Sequence, residues 1–233
     1  MGRPDGLTAL DDPVGESLRG HHAHLARRHG GALTYAPDVA TFVAVPVRPH
    51  LDDWSGLAQL LGAGGFADLF SSPATPPSDW APVFTMEGLQ LVADSGVVER
   101  PAAGTDVVEL GPPDVPDMLR LAARTRPGPF WSRTIEMGGY VGIRDGGRLV
   151  AMAGERLRPP GWTEISSVCV ATESRGRGLA GTLVGVLASR IAARDERPLL
   201  HVATDNSTAV ALYHRLGFRT RREVTFRGFR VPG

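Results

Sequence analysis

The stretch of this 233-residue chain most suited to chemistry is Ser167 to Leu183, SVCVATESRGRGLAGTL. An apolar run, a polar turn holding Arg175, Gly176, Arg177 and Gly178, and an apolar-periodic run predict strand, loop and helix N-terminus in that order. The two close glycines let the backbone turn tightly and approach a ligand without a Cβ between them. The first amides of a helix have no intrahelical partner and the dipole adds partial positive charge, so such a loop favours an anion such as a pyrophosphate. The loop lacks the Lys-Ser/Thr ending of a nucleotide P-loop and the three-glycine dinucleotide fingerprint, which argues against a nucleotide-binding protein.

A second constellation follows. Arg175, Gly178 and Ala180 match an Arg-x-x-Gly-x-Ala loop, and Asn206, Ala209, Leu212, Tyr213, Gly217 and Phe218 match an Asn…Ala-x-x-Leu-Tyr…Gly-Phe pattern after it. Together the two motifs resemble the GNAT superfamily of acyl-CoA-dependent N-acyltransferases. The resemblance implies transfer of an acetyl group from acetyl-CoA to a primary amine by direct attack in a ternary complex. By that resemblance the pantetheine arm pairs with the backbone of Val168, Cys169 and Val170, one of whose amides serves the developing oxyanion. The pyrophosphate rests on Arg175, Gly176, Arg177, Gly178, Leu179 and Ala180. Asn206 is a helix cap, a coenzyme contact, or both.

Acyl transfer to an amine needs a base for the amine proton and an acid for the departing thiolate. The resemblance puts Tyr213 near the thioester sulfur as the acid, helix packing being the other reading of that residue. Glu164 matches the family's fourth-strand carboxylate and is the first candidate base. His201, on the next strand, is the second. A histidine needs little tuning to act at neutral pH, whereas a glutamate must be raised by burial or work through water. Strict alternation puts Glu164, Ser166, Val168 and Val170 on one strand face and Cys169 on the other, which disfavours a covalent acyl-cysteine. Phe130 and Trp131, between the first two core helices of the family pattern, are candidate acceptor-wall residues, ordinary core packing being the other reading. Glu155 could hold a cationic amine, and Arg126, Arg133 or Arg156 a carboxylate or phosphate.

Composition sets outer bounds. Net charge is zero, with 25 basic and 25 acidic residues, so no global field favours nucleic acid or an anionic membrane. Every basic residue is arginine. A single cysteine forms no internal disulfide, and no run approaches a membrane span, which together lead us to expect a soluble cytoplasmic protein. His21, His22, His24 and His29 cluster on an expected helix, Glu16 to His29, but lack carboxylate or cysteine partners at ligand spacing, so no metal is expected. The resemblance implies a small-molecule or peptide amine as acceptor. A homodimer is open from the family's habit, and a non-catalytic acyl-CoA-binding or sensing module is the alternative function.

The elements that must position these residues form a mixed α/β chain. The resemblance implies a GNAT fold: a central, mostly antiparallel twisted sheet flanked by helices, over residues 105–233. A smaller, degenerate GNAT-like or acceptor-side half, 1–104, precedes it, with Glu99 to Asp106 as linker. Strands are expected at Ala40 to Val47 and Phe84 to Ala93, the latter with Gly88 marking a bulge or close approach, and a short helix at Asp53 to Leu61. In the second half come a strand at Val107 to Leu110 and a helix capped by Asp114, with Met118, Leu119 and Ala122 inward. A hairpin turning at Asp145-Gly146-Gly147 and a strand over 162–171 lead into the glycine loop. The C-terminal RTRREVTFRGFRV supplies the last strands, with Arg219, Arg221 and Arg222 solvated.

Overall fold

A computed structural model describes residues 8–93 and 106–233. The expected linker, Glu99 to Asp106, lies almost wholly outside the described residues, as does the boundary at 104. Eight strands form the main sheet, in the order β4-β11-β5-β10-β9-β8-β7-β6. They are β4 (Phe66–Phe70), β5 (Ala81–Val92), β6 (Val107–Leu110), β7 (Tyr140–Asp145), β8 (Arg148–Glu155), β9 (Trp162–Val170), β10 (Arg197–Ala203) and β11 (Arg219–Arg230). A small antiparallel sheet, β1 (Ala26–His29), β2 (Ala32–Tyr35) and β3 (Val43–Ala44), precedes them. The main sheet is antiparallel except where β10 runs parallel to β9. Strands of both halves share it: β5 pairs with β10 on one edge and β11 on the other.

Among the described residues, five α-helices accompany the sheets: α1 (Pro13–Arg19), α2 (Leu51–Leu61), α3 (Val115–Thr125), α4 (Leu179–Ala192) and α5 (Ser207–Arg215). In α4, Leu179, Leu183, Val184, Leu187, Ala188 and Ile191 are buried, the spacing of one helical face laid on the sheet. In α3 the buried residues are Met118, Leu121 and Ala122, with Leu119 only half-buried. Asp114 accepts from the amide of Gly111 at 2.9 Å, capping the turn before α3 rather than α3 itself, and pairs with Arg144.

The first half departs furthest from expectation. Instead of one helix over Glu16 to His29, α1 stops at Gly20, and a short turn leads into β1. His22 is then fully buried, with its ring nitrogens 2.8 Å from the Tyr35 hydroxyl and 2.9 Å from the Met137 carbonyl, so it ties the first half to the second. Burial pushes its pKa down to about 4, keeping it neutral. The expected strand 40–47 shrinks to Val43–Ala44. A Cβ at Gly88 would strike the ring of Phe226, so that glycine marks a close approach. The C-terminal run is one long strand. Of its arginines, Arg221 and Arg222 are not simply solvated: Arg221 donates to Asp11 at 2.6 Å, and Arg222 reaches the Asp11 carbonyl at 3.3 Å.

Candidate active site

The site begins where β9 and β10 part. Their backbones pair only from Arg197↔Trp162 to Leu199↔Glu164, and beyond that point the facing edge of β9 is open. Two cavities lie along the opening. One, of about 360 Å³, is lined by Val168, Cys169, Val170, Arg175, Gly176, Gly178, Leu179, Ala180, Asn206 and Tyr213, among others. The other, of about 340 Å³, is bounded by Phe42, Asp68, Phe70, Phe84, Met86, Arg156, His201 and Phe226 together with Ser166, Ser167 and Val168. Arg126, Pro127, Val168, Asn206, Ala209 and Tyr213 line both, so the cavities meet beside the tyrosine.

The first cavity suits a coenzyme. Gly176 and Gly178 have φ of 78° and 74°, the left-handed region that glycine alone enters cheaply, and no atom lies within 4 Å of where their Cβ would be. They open the N-terminus of the 14-residue α4, where unpaired amides can receive phosphate oxygens. Asn206 accepts from the amide of Ala209 at 3.2 Å and so caps α5 while lining both cavities. Arg177 instead pairs with Asp145 at 3.1 Å on the exposed surface and does not line the groove. Tyr213 is 7% exposed, and burial pushes its pKa up to about 12, so its hydroxyl stays protonated.

A bulge in β9 changes the expected faces. Gly154 pairs with Ser166 but Met152 with Cys169, so two steps on β8 oppose three on β9, and Ser167 has φ of 53°. The extra residue reverses the alternation, bringing Cys169 to the same face as Ser166 and Glu164. The thiol is nonetheless buried and its pKa pushed up to about 11 by that burial, which leaves it un-ionised and a poor nucleophile.

Glu164 is fully buried and is not among the residues lining either cavity. Arg156 donates to it through Nε at 2.8 Å and Nη2 at 2.7 Å, a two-pronged pair, and His201 Nδ1 lies 2.7 Å from Oε1. Burial alone would raise its pKa, but the Arg156 charge, with help from His201, outweighs burial and holds it near about 2. A carboxylate so committed is a poor base.

His201 does line the acceptor-side cavity, but both its nitrogens are engaged. Gln90 Oε1 accepts from Arg221 at 2.8 Å, which orients the amide so that its nitrogen donates to the Leu10 carbonyl at 2.9 Å and meets His201 Nε2 at 3.1 Å. His201 Nε2 is therefore the acceptor and Nδ1 carries the proton toward Glu164. Burial lowers the histidine pKa despite the raising effect of Glu164. Arg156, Glu164, His201 and Gln90 thus form one continuous hydrogen-bonded floor under the cavity. The Arg156 guanidinium also lies over Phe70 and Phe42, 4.6 and 5.0 Å from their ring centres.

The other expected acceptor residues fall elsewhere. Phe130 packs edge-on against Tyr140, Trp131 packs against the core beside β2, and Glu155 is buried against Arg194 at 2.8 Å. The loop after α3 does reach the cavity, through Arg126 to Pro129, a few residues earlier. Asp68, Phe70, Phe42 and Phe226, which sequence reasoning missed, supply most of the remaining wall. They come from distant parts of the chain, and no local motif marks them.

Comparison with known proteins gives the same frame. The FR47-like protein family matches residues 140–227. An N-alpha-acetyltransferase, RimI, from Mycobacterium tuberculosis is 40% identical over 97 residues, 40% of this chain and 60% of its own length. A mycothiol acetyltransferase from Mycolicibacterium vanbaalenii is 39% identical over 80 residues, 32% of this chain and 27% of that protein. The match therefore spans less than two thirds of either curated relative. A solved structure from Novosphingobium aromaticivorans, described as a GNAT-family acetyltransferase, is 39% identical with a TM-score of 0.85, covering 95% of this chain and 97% of that one. With that identity carried across nearly the whole of both chains, and with the glycine loop and the parted strands in place, this protein belongs to the GNAT family.

Proposed function

We propose that the chain transfers an acetyl group from acetyl-CoA to a primary amine by direct attack within a ternary complex. The observation that carries this reading is the meeting of the two cavities at Tyr213, across the gap between β9 and β10. One cavity has the loop, the open strand edge and the helix N-terminus that a pyrophosphate and pantetheine require; the other is walled by aromatic rings and charged groups. Bound acetyl-CoA would supply the thioester. Val168 to Val170 would offer backbone donors to the arm and to the oxygen that gains charge. Tyr213, protonated at neutral pH, would give its hydroxyl proton to the departing sulfur.

One relative is named as an N-alpha-acetyltransferase and the other as a mycothiol acetyltransferase, and an amine on a small molecule or a peptide is the acceptor class we propose here. The test is titration with acetyl-CoA and with free coenzyme A, then background thioester hydrolysis in wild type and Tyr213→Phe. Both ligands should bind equally to the two proteins, while hydrolysis falls by about 10²-fold in the variant, the lower end of general-acid effects. Unchanged hydrolysis in the variant would move the protein to a non-catalytic acyl-CoA-binding module, and failure to bind either ligand would remove the coenzyme assignment.

A further inference from the structure

Asp68 lies on β4, in the first half of the chain, and is 4% exposed. Among the described residues its Oδ1 is buried without a hydrogen-bond partner, and Oδ2 receives only a long bond from the Thr41 hydroxyl at 3.4 Å. A buried carboxylate is expensive unless it is paired, and folded proteins rarely tolerate one unpaired without a use for it. The nearby cation, Arg156, is already spent on Glu164. Asp68 nevertheless lines the acceptor-side cavity, which it shares with Tyr213. At the same cavity, Phe84 and Met86 on β5 are 38% and 42% exposed, large apolar side chains that no element among the described residues covers. A carboxylate lacking a partner and an apolar lip around one opening point to an occupant that is cationic at one end and apolar at the other.

We infer that Asp68 receives the ammonium group of the acceptor and takes its proton, and that the acceptor carries that amine on an apolar group of roughly aromatic size. The inference rests on the acetyl-transfer reading and gives it its base. Glu164 and His201 are both committed to the floor, whereas Asp68 has an oxygen to offer. Of the two protons the ammonium loses, Asp68 takes the first and passes it to water, which frees the nitrogen lone pair. That pair forms the C–N bond as the C–S bond breaks. Tyr213 protonates the sulfur and is restored by the second nitrogen proton, so no oxidant or further reactant is needed.

Burial raises the pKa of Asp68 to about 6, against the lowering effect of Arg156. Two consequences follow: the first reads the burial of an unpaired carboxylate, and the second, pH-dependent capture of the amine, is the one a merely structural aspartate would not show. A group whose folded pKa exceeds its unfolded value gives stability that is full below the unfolded value, 3.8 here, and is lost as pH rises through about 6. Asp68→Asn should therefore melt at a higher temperature than wild type at pH 8, with the difference gone by about pH 4. Amine capture should show the opposite dependence, strong above pH 6 and weakening below it. The other charged and titratable groups facing this opening are Arg156, His201, Arg126 and Tyr213, and Asp68→Asn leaves all of them in place.

The experiment is calorimetric titration of wild type and Asp68→Asn with 2-phenylethylamine, and separately with acetyl-CoA, between pH 5 and 8. Wild type should bind 2-phenylethylamine with an affinity that falls as pH drops through 6. The variant should bind it on the order of tenfold to a hundredfold more weakly, the range of a hydrogen bond to a charged group, without that pH dependence. Acetyl-CoA should bind both proteins alike. Equal amine binding in the two proteins, no amine binding to wild type, or a variant that melts below wild type at pH 8 would each overturn the inference. Loss of acetyl-CoA binding in wild type would instead count against the acetyl-transfer reading.

Discussion

The two sides of the cleft between β9 and β10 are assembled from different kinds of sequence. The coenzyme side is nearly continuous: β9, the glycine loop and the start of α4 follow one another, and α5 adds Asn206 and Tyr213. The acceptor side gathers Phe42, Asp68, Phe84, Arg156, His201 and Phe226 from six separate segments, three of them before residue 93. The first side works through backbone amides, whose positions follow from local φ and ψ. The second works through side chains, whose positions follow from the whole sheet. Damage should therefore spread differently on the two sides.

The largest effect is expected from Arg156→Ala. It leaves the buried Glu164 carboxylate with only a neutral histidine and the Leu157 amide, at 3.3 Å, as partners and no cation beside it, and breaking a buried pair in this way costs about 3–5 kcal/mol. Urea unfolding should show that loss, and the aromatic wall under the guanidinium should loosen with it. A cost below about 1 kcal/mol would mean that the floor is far more hydrated than its burial indicates. Gly178→Val is the matching insult to the coenzyme side. Its left-handed φ of 74° would strain a branched residue by about 1–2 kcal/mol, and acetyl-CoA affinity should fall about tenfold while 2-phenylethylamine still binds. Loss of both affinities together would show that the two sides are not separable. Arg177→Ala should do least. Its partner Asp145 is as exposed as it is, so stability should move by less than about 1 kcal/mol and coenzyme affinity hardly at all.

The same contrast explains what the sequence made legible. The glycine loop, the Asn206 cap and the Tyr213 position could be read because each depends on neighbours a few residues away. The face assignment of Cys169 could not, since one extra residue at Ser167 reverses every later side chain and leaves no mark in the hydrophobic pattern. Glu164 illustrates a different limit. The sequence offered a carboxylate on the expected strand, but whether it serves as base or as the partner of a buried arginine depends on Arg156, placed eight residues earlier, just past the end of β8. Asp68 was invisible because β4 itself was not anticipated, and its interest arises only from the partner it lacks. In the first half, Gly20 ended a helix that histidine spacing had seemed to extend.

The position of β5 bears on how the chain is made. Its hydrogen-bonding partners on both edges, residues 197–203 and 219–230, leave the ribosome only after the entire second half has been translated. Until then β5 has two open edges and carries Phe84 and Met86, a combination that invites mispairing. The nascent first half therefore waits as an incomplete sheet. Closure by such distant pairing is slow, and a chaperone shielding the stretch 81–92 during synthesis would protect the strand that later forms the lip of the acceptor cavity.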